Sequence, residues 1–265
     1  MTNTSEPTRL LNRLRYGERT DKPGLLIVHG LFGSARNWGA IAKRLSDTRE
    51  VISVDMRNHG ESFRDSRHGY TELAEDLARV ITAESAPMDV MGHSMGGKAA
   101  MVLALTQPDL VRRLLVADIA PVEYGHSQSH LIAAMRNLPL EGLQSRGEAD
   151  AALARSVEDA SVRAFLLQSL DLKASPPRWR LNLDVLEAEM DRVTGWPAEI
   201  TGPFEGPTLF FSGAQSDYVR PEHRPAIKAL FPEARFAKLP DAGHWLHAEA
   251  PRPFEATARM WFDLD

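Results

Sequence analysis

Five short apolar runs recur along this chain with helix-length segments between them, and that alternation restricts the fold more than any other feature. Leu25-Leu26-Ile27-Val28, Val51-Ile52-Ser53-Val54, Met88-Asp89-Val90-Met91, Leu114-Leu115-Val116-Ala117 and Thr208-Leu209-Phe210-Phe211 each run into Gly, Asp, His or Ser. Runs this short and this apolar suit strands buried on both faces, as in a parallel sheet. The segments Trp38 to Leu45, Tyr70 to Glu84 and Gly97 to Thr106 have the length of crossover helices. The expectation is an α/β fold, a mostly parallel doubly wound sheet with helices on both faces. A chain of 265 residues with 43% hydrophobic content can fill one such core and still carry an insertion.

The insertion is expected at residues 122–203, where strand-like runs stop and helical periodicity takes over. Leu131, Met135 and Leu138 form one stripe, Val162, Phe165, Leu166 and Leu170 a second, and Leu183, Leu186, Met190 and Val193 a third, with breaks at Pro176-Pro177 and Trp196-Pro197. Residues 1–121 and 204–265 would then form the core and 122–203 a helical cap. The sheet resumes at Thr208, continues near Arg235 to Lys238, and a helix near Pro253 to Phe262 closes the chain. Some cap leucines, with Phe165 and Trp179, would line an apolar pocket, while most would form the cap's own packing.

Composition removes several function classes. A net charge of -5 with mixed signs gives no reason to expect nucleic acid or an anionic membrane surface as partner. The absence of cysteine excludes disulfides, thiolate metal sites and thiol nucleophiles, and suits a reducing compartment. Met1 to Arg9 is polar, and no apolar run reaches the roughly 18 residues of a membrane span. A cytoplasmic protein without metal or organic cofactor is expected.

The strongest local signal is Gly92-His93-Ser94-Met95-Gly96-Gly97, between the strand ending at Met91 and the following helix. A G-x-S-x-G turn from strand to helix is tight enough to require nearly bare flanking residues, and it thrusts the serine hydroxyl above the sheet. At the helix N-terminus, unpaired amides favour developing negative charge. Ser94 is therefore the candidate nucleophile. The bland alternative is a helix-capping serine in a glycine-rich turn.

A nucleophilic serine needs a base, an acid to orient that base, and donors for the oxyanion. Asp241-Ala242-Gly243-His244-Trp245, between the last strand and last helix, supplies His244 as base; His247 reads as structural, and His59, His93 and His126 as ordinary packing or surface residues. The acid has two candidates. Asp118 ends a strand in Ala117-Asp118-Ile119-Ala120-Pro121, whereas Asp217 comes one residue after Ser216 in Gly213-Ala214-Gln215-Ser216. Asp118 is preferred because a strand-end carboxylate points into the site and a one-residue slip redirects a side chain, leaving Ser216 as an accessory hydrogen-bonding group. The oxyanion donors would be the amide of Met95 and one amide of His29-Gly30-Leu31-Phe32-Gly33-Ser34, from Leu31 or Phe32.

Together these motifs make the chain resemble the α/β-hydrolase superfamily over essentially its whole length, and within it the bacterial esterases of the YbfF type. Asp55-Met56-Arg57-Asn58-His59-Gly60-Glu61-Ser62, Asp118-Ile119-Ala120-Pro121-Val122, Trp179-Arg180 followed by Asn182-Leu183, and Gly243-His244-Trp245 complete the match. The resemblance implies carboxylesterase activity on short or medium acyl esters or thioesters, with the acid at Asp118, a serine at Ser216 and Leu31 as the first oxyanion donor. Asp217 departs from the group's pattern and keeps a second carboxylate in contention. Asp55 and Arg57 are expected to brace loops. The same scaffold also supports C–C bond hydrolysis, aminopeptidase activity or low-turnover ligand reception.

Overall fold

The computed structural model describes residues 9–84 and 87–264. The polar segment Met1 to Arg9 lies, apart from Arg9, outside the described residues. Along the chain the elements are β1 (Arg13–Tyr16), β2 (Leu25–Val28), α1 (Gly39–Leu45), β3 (Val51–Val54), α2 (Tyr70–Glu84), β4 (Met88–His93), α3 (Met95–Thr106) and β5 (Val111–Ala117). There follow α4 (Ser129–Arg136), α5 (Arg146–Leu153), α6 (Ala160–Leu167), β6 (Leu170–Asp171), β7 (Arg178–Trp179), α7 (Leu183–Ala188) and α8 (Met190–Thr194). The chain then returns through β8 (Thr208–Gly213), α9 (Arg224–Leu230), β9 (Ala234–Leu239), α10 (Leu246–Glu249) and α11 (Pro251–Phe262).

Among the described residues, seven strands form one sheet in the order β1-β3-β2-β4-β5-β8-β9. All pairs are parallel except β1 with β3. The period of two along each strand divides the core into two layers. Leu26, Val28, Ile52, Val54, Val90, Leu114, Val116 and Phe210 face α2 and α3. Their neighbours Leu25, Ile27, Val51, Met91, Leu115, Leu209 and Phe211 pack with α1 and α11 on the other face. Full burial of each such side chain contributes about 1.5–3 kcal/mol relative to exposure.

Three expectations need correction. The antiparallel edge strand β1 has no counterpart in the apolar runs, because it reads Arg-Leu-Arg-Tyr; Arg13 and Arg15 both pair with Glu84. Residues 122–203 are not wholly helical, since Leu170 and Trp179 pair in the small β6-β7 ladder, so Leu170 is not on the α6 face. The helix after the elbow begins at Met95, not at Gly97.

The helices between β5 and β8 stay outside the main sheet but share its core: Leu131, Ile132, Met135, Leu166, Leu186 and Met190 belong to the same buried cluster as the α2–α3 face. Asn182 fastens this stretch to the loop after β3, its backbone amide donating to the Asn58 carbonyl at 2.9 Å and its side-chain amide to Asn58 Oδ1 at 2.9 Å. No helix among the described residues is long and apolar enough to cross a membrane.

Candidate active site

Ser94 occupies the bend between β4 and α3 with φ 52° and ψ -121°, a left-handed conformation that is strained for a residue with a side chain. The bend closes only because its flanks are bare. A Cβ on Gly92 would stand 2.3 Å from the Gly96 carbonyl oxygen, and one on Gly96 would stand 2.4 Å from that of His29. The Ser94 amide donates to the Ala117 carbonyl at 3.0 Å, tying the bend to the end of β5.

The turn after β9 brings His244 across the sheet to this serine: His244 Nε2 lies 3.1 Å from Ser94 Oγ. On its other side His244 Nδ1 lies 2.7 Å from Asp118 Oδ2. Asp118 follows β5 with φ 52° and is fully buried. The same Oδ2 also accepts the Ser216 hydroxyl, while Oδ1 accepts the Gly213 amide at 3.1 Å. A buried carboxylate supplied with these donors is held in place by them. Asp217, by contrast, is exposed and lines a second, more polar cavity that also touches His244.

Glu249 fixes the histidine turn by accepting the amides of Gly243 at 2.6 Å and Trp245 at 3.1 Å. The His244 ring lies between Tyr218, stacked at 4.0 Å and 21°, and His93, tilted at 4.7 Å. His93 Nε2–H donates to the His244 carbonyl at 2.8 Å.

The glycine turn after β2 sits against the elbow. Phe32, with φ 63°, donates its amide to His59 Nε2 at 3.2 Å, so that donor is already engaged. Leu31 and Met95 both line the cavity that contains Ser94 and His244. His59 is fully buried rather than a surface residue, and its Nδ1–H donates to the Arg57 carbonyl at 3.0 Å. Burial holds His29, His59 and His93 below the ordinary histidine range and pulls His68 and His247 to about 3. His247 stacks on Trp38 at 4.0 Å. His126 is exposed, and its Nε2 lies 2.8 Å from the Tyr218 hydroxyl. The Asp55 carboxylate braces two loops, accepting the amides of Ala35 at 2.7 Å and Glu61 at 2.9 Å.

The cavity measures about 500 Å³, and Leu131, Val157, Val162, Phe165, Met190 and Val193, all from the stretch between β5 and β8, give it an apolar wall. Trp179 lies off it and donates through Nε1 to the Met135 carbonyl at 2.8 Å. Two wall residues carry no sequence signal, Tyr218 and Lys98. Lys98, one helical turn beyond Ser94, is 1% exposed, and its Nζ donates to the carbonyls of Thr194, at 2.9 Å, and Gly195. Burial lowers its ammonium to about 7. No group of three or more His, Asp or Glu side chains among the described residues converges in a way that would hold a metal ion.

The family model of the alpha/beta hydrolase fold matches residues 23–251. The chain is 39% identical over 257 residues to a Mus musculus protein named sn-1-specific diacylglycerol lipase ABHD11, a match covering 94% of this chain and 83% of that one. It is 38% identical over 230 residues to the esterase YbfF of Escherichia coli, covering 86% and 88% respectively. Among solved structures, a marine microorganism esterase superposes with a TM-score of 0.91 at 35% identity, over 96% of this chain and all of the other.

Proposed function

The chain belongs to the alpha/beta hydrolase fold family, and from that premise we propose that it is a serine carboxylesterase acting on small-molecule esters of short to medium acyl chains. The observation that carries this reading is the run of contacts from Ser94 Oγ to His244 Nε2, at 3.1 Å, and from His244 Nδ1 to Asp118 Oδ2, at 2.7 Å. Relatives named as esterase and lipase support it.

In the proposed reaction Ser94 Oγ attacks the acyl carbon while its proton passes to His244 Nε2. The imidazolium is stabilised by Asp118, which keeps the ring turned toward the serine. The carbonyl oxygen, now negative, rests on the amides of Leu31 and Met95. His244 returns the proton to the leaving alcohol as the ester C–O bond breaks, leaving an acyl-serine. Water, deprotonated by the same imidazole, then attacks the acyl carbon, the acyl–Oγ bond breaks, and His244 returns the proton to Ser94 Oγ as the carboxylic acid leaves. A thiol can leave by the same route, which brings thioesters within the proposal.

Ser216 is an accessory group that holds Asp118, and residues 122–203 act as a cap that selects the acyl chain through the apolar wall. A cytoplasmic setting, suggested by the cysteine-free composition, is part of the same reading. The test is turnover of a p-nitrophenyl ester chain-length series together with labelling by a fluorophosphonate. Ser94→Ala should abolish the label and lower kcat by about 10³-fold or more. Undiminished turnover in that variant, or none by the wild type at any chain length, rejects the proposal.

A further inference from the structure

Lys98 is a buried amine inside the substrate cavity, a cation below a pH of about 7, without a carboxylate partner. Among the described residues no carboxylate stands within 4.0 Å of its Nζ, and the acid whose field reaches it, Glu123, is exposed. Two of the three ammonium hydrogens go to the Thr194 and Gly195 carbonyls. The rings of Tyr124, at 4.8 Å, and Tyr70, at 5.5 Å, flank the charge. Carbonyl dipoles and ring faces solvate a cation but do not neutralise it, and buried charges in proteins are ordinarily paired. Thr194, Tyr124, Tyr70 and Lys98 all line the cavity that holds Ser94. Lys98 follows Ser94 by four positions on α3, about 6 Å along the helix axis.

We propose that Lys98 is the anion-binding group of the acyl pocket, and that the preferred acyl group carries a carboxylate a few methylenes from the ester carbonyl, as in a monoester of a dicarboxylic acid. This rests on the esterase reading above and names its substrate class. The carboxylate supplies the missing counter-charge and takes the ammonium hydrogen not given to Thr194 or Gly195, while the methylenes lie against the apolar wall. Glu158 and Asp159 also line the cavity, but both are exposed, and the Asp159 carboxylate is occupied by the amides of Ser161 and Val162.

The experiment compares monoethyl esters of succinic, glutaric, adipic and pimelic acids with ethyl esters of the corresponding uncharged acids, followed by proton release at pH 6.5. At least one anionic ester should exceed its neutral counterpart in kcat/KM by about tenfold or more, the step expected for one charge-assisted hydrogen bond. Lys98→Met should erase that preference while leaving neutral esters within about threefold. Parallel losses on both substrate classes would show that Lys98 only clamps the end of α8, and would overturn the proposal, as would a wild type that favours every neutral ester. Calorimetry of succinate, glutarate, adipate and pimelate on Ser94→Ala separates this from the esterase reading, because binding of the best of them there requires no turnover. Binding that is absent, or that survives in Ser94→Ala/Lys98→Met, also overturns it.

Discussion

Tyr218 lies face to face with His244, their ring centroids 4.0 Å apart and their planes 21° from parallel. The phenol covers one face of the imidazole, restrains its rotation and presents a π face to the positive charge it would carry in the proposed proton transfer. Such a contact stabilises a cation by about 1 kcal/mol, so Tyr218→Leu should lower kcat about fivefold, with Tyr218→Phe close to wild type. A full-rate leucine variant in steady-state kinetics would remove Tyr218 from this role.

The two candidate carboxylates differ in what they touch. Asp118→Asn should keep the fold but misdirect the His244 ring, lowering kcat by about 10³- to 10⁴-fold. Asp217→Asn, on an exposed side chain, should stay within about twofold. The reverse ranking, measured on one ester, would transfer the acid role to Asp217.

Buried histidines should make the fold acid-sensitive. His68 and His247 titrate natively near 3, whereas an unfolded histidine titrates near about 6.5. Between those values the unfolded chain holds more protons than the native one, so stability is full above the upper value and declines as pH falls below it. Each group contributes up to about 1.4 kcal/mol per pH unit in that window. Urea midpoints should therefore drop between pH 7.5 and pH 5; an unchanged midpoint contradicts the account.

Gly96→Ala should be among the most damaging single-methyl changes. Its Cβ would stand 2.4 Å and 2.6 Å from the backbone oxygens of His29 and Val28, neither of which can move without displacing β2. A loss of about 1–3 kcal/mol is expected, together with loss of activity. Gly125→Ala, with nothing within 4 Å of the added carbon, is the control and should leave the melting temperature unchanged.

The interior strands were legible because a strand buried on both faces must be apolar along its length. Strand β1 was not, since an edge strand alternates, and its arginines gave it the look of a loop. The β6-β7 ladder pairs only two residues a side, below any periodic signal. At the candidate site, Ser94 and His244 were legible as candidates because each lies in a turn with local spacing rules, and the fold brings the two side chains together. The choice between Asp118 and Asp217 depends on a contact 126 residues apart in sequence and on a left-handed turn at φ 52°, neither of which is written locally. Tyr218 and Lys98 acquire meaning only from the cavity wall on which they meet other elements. That the Phe32 amide is the partner of His59 is likewise written nowhere near it in sequence.

The three groups proposed for the chemistry sit at the ends of β4 and β5 and in the turn after β9, and the last of them is the latest to be synthesised. A chain synthesised only as far as α3 holds the serine but lacks the imidazole proposed to activate it, which follows 150 residues later. In the proposed chemistry, serine and base thus become able to meet only after β8 and β9 have joined the sheet.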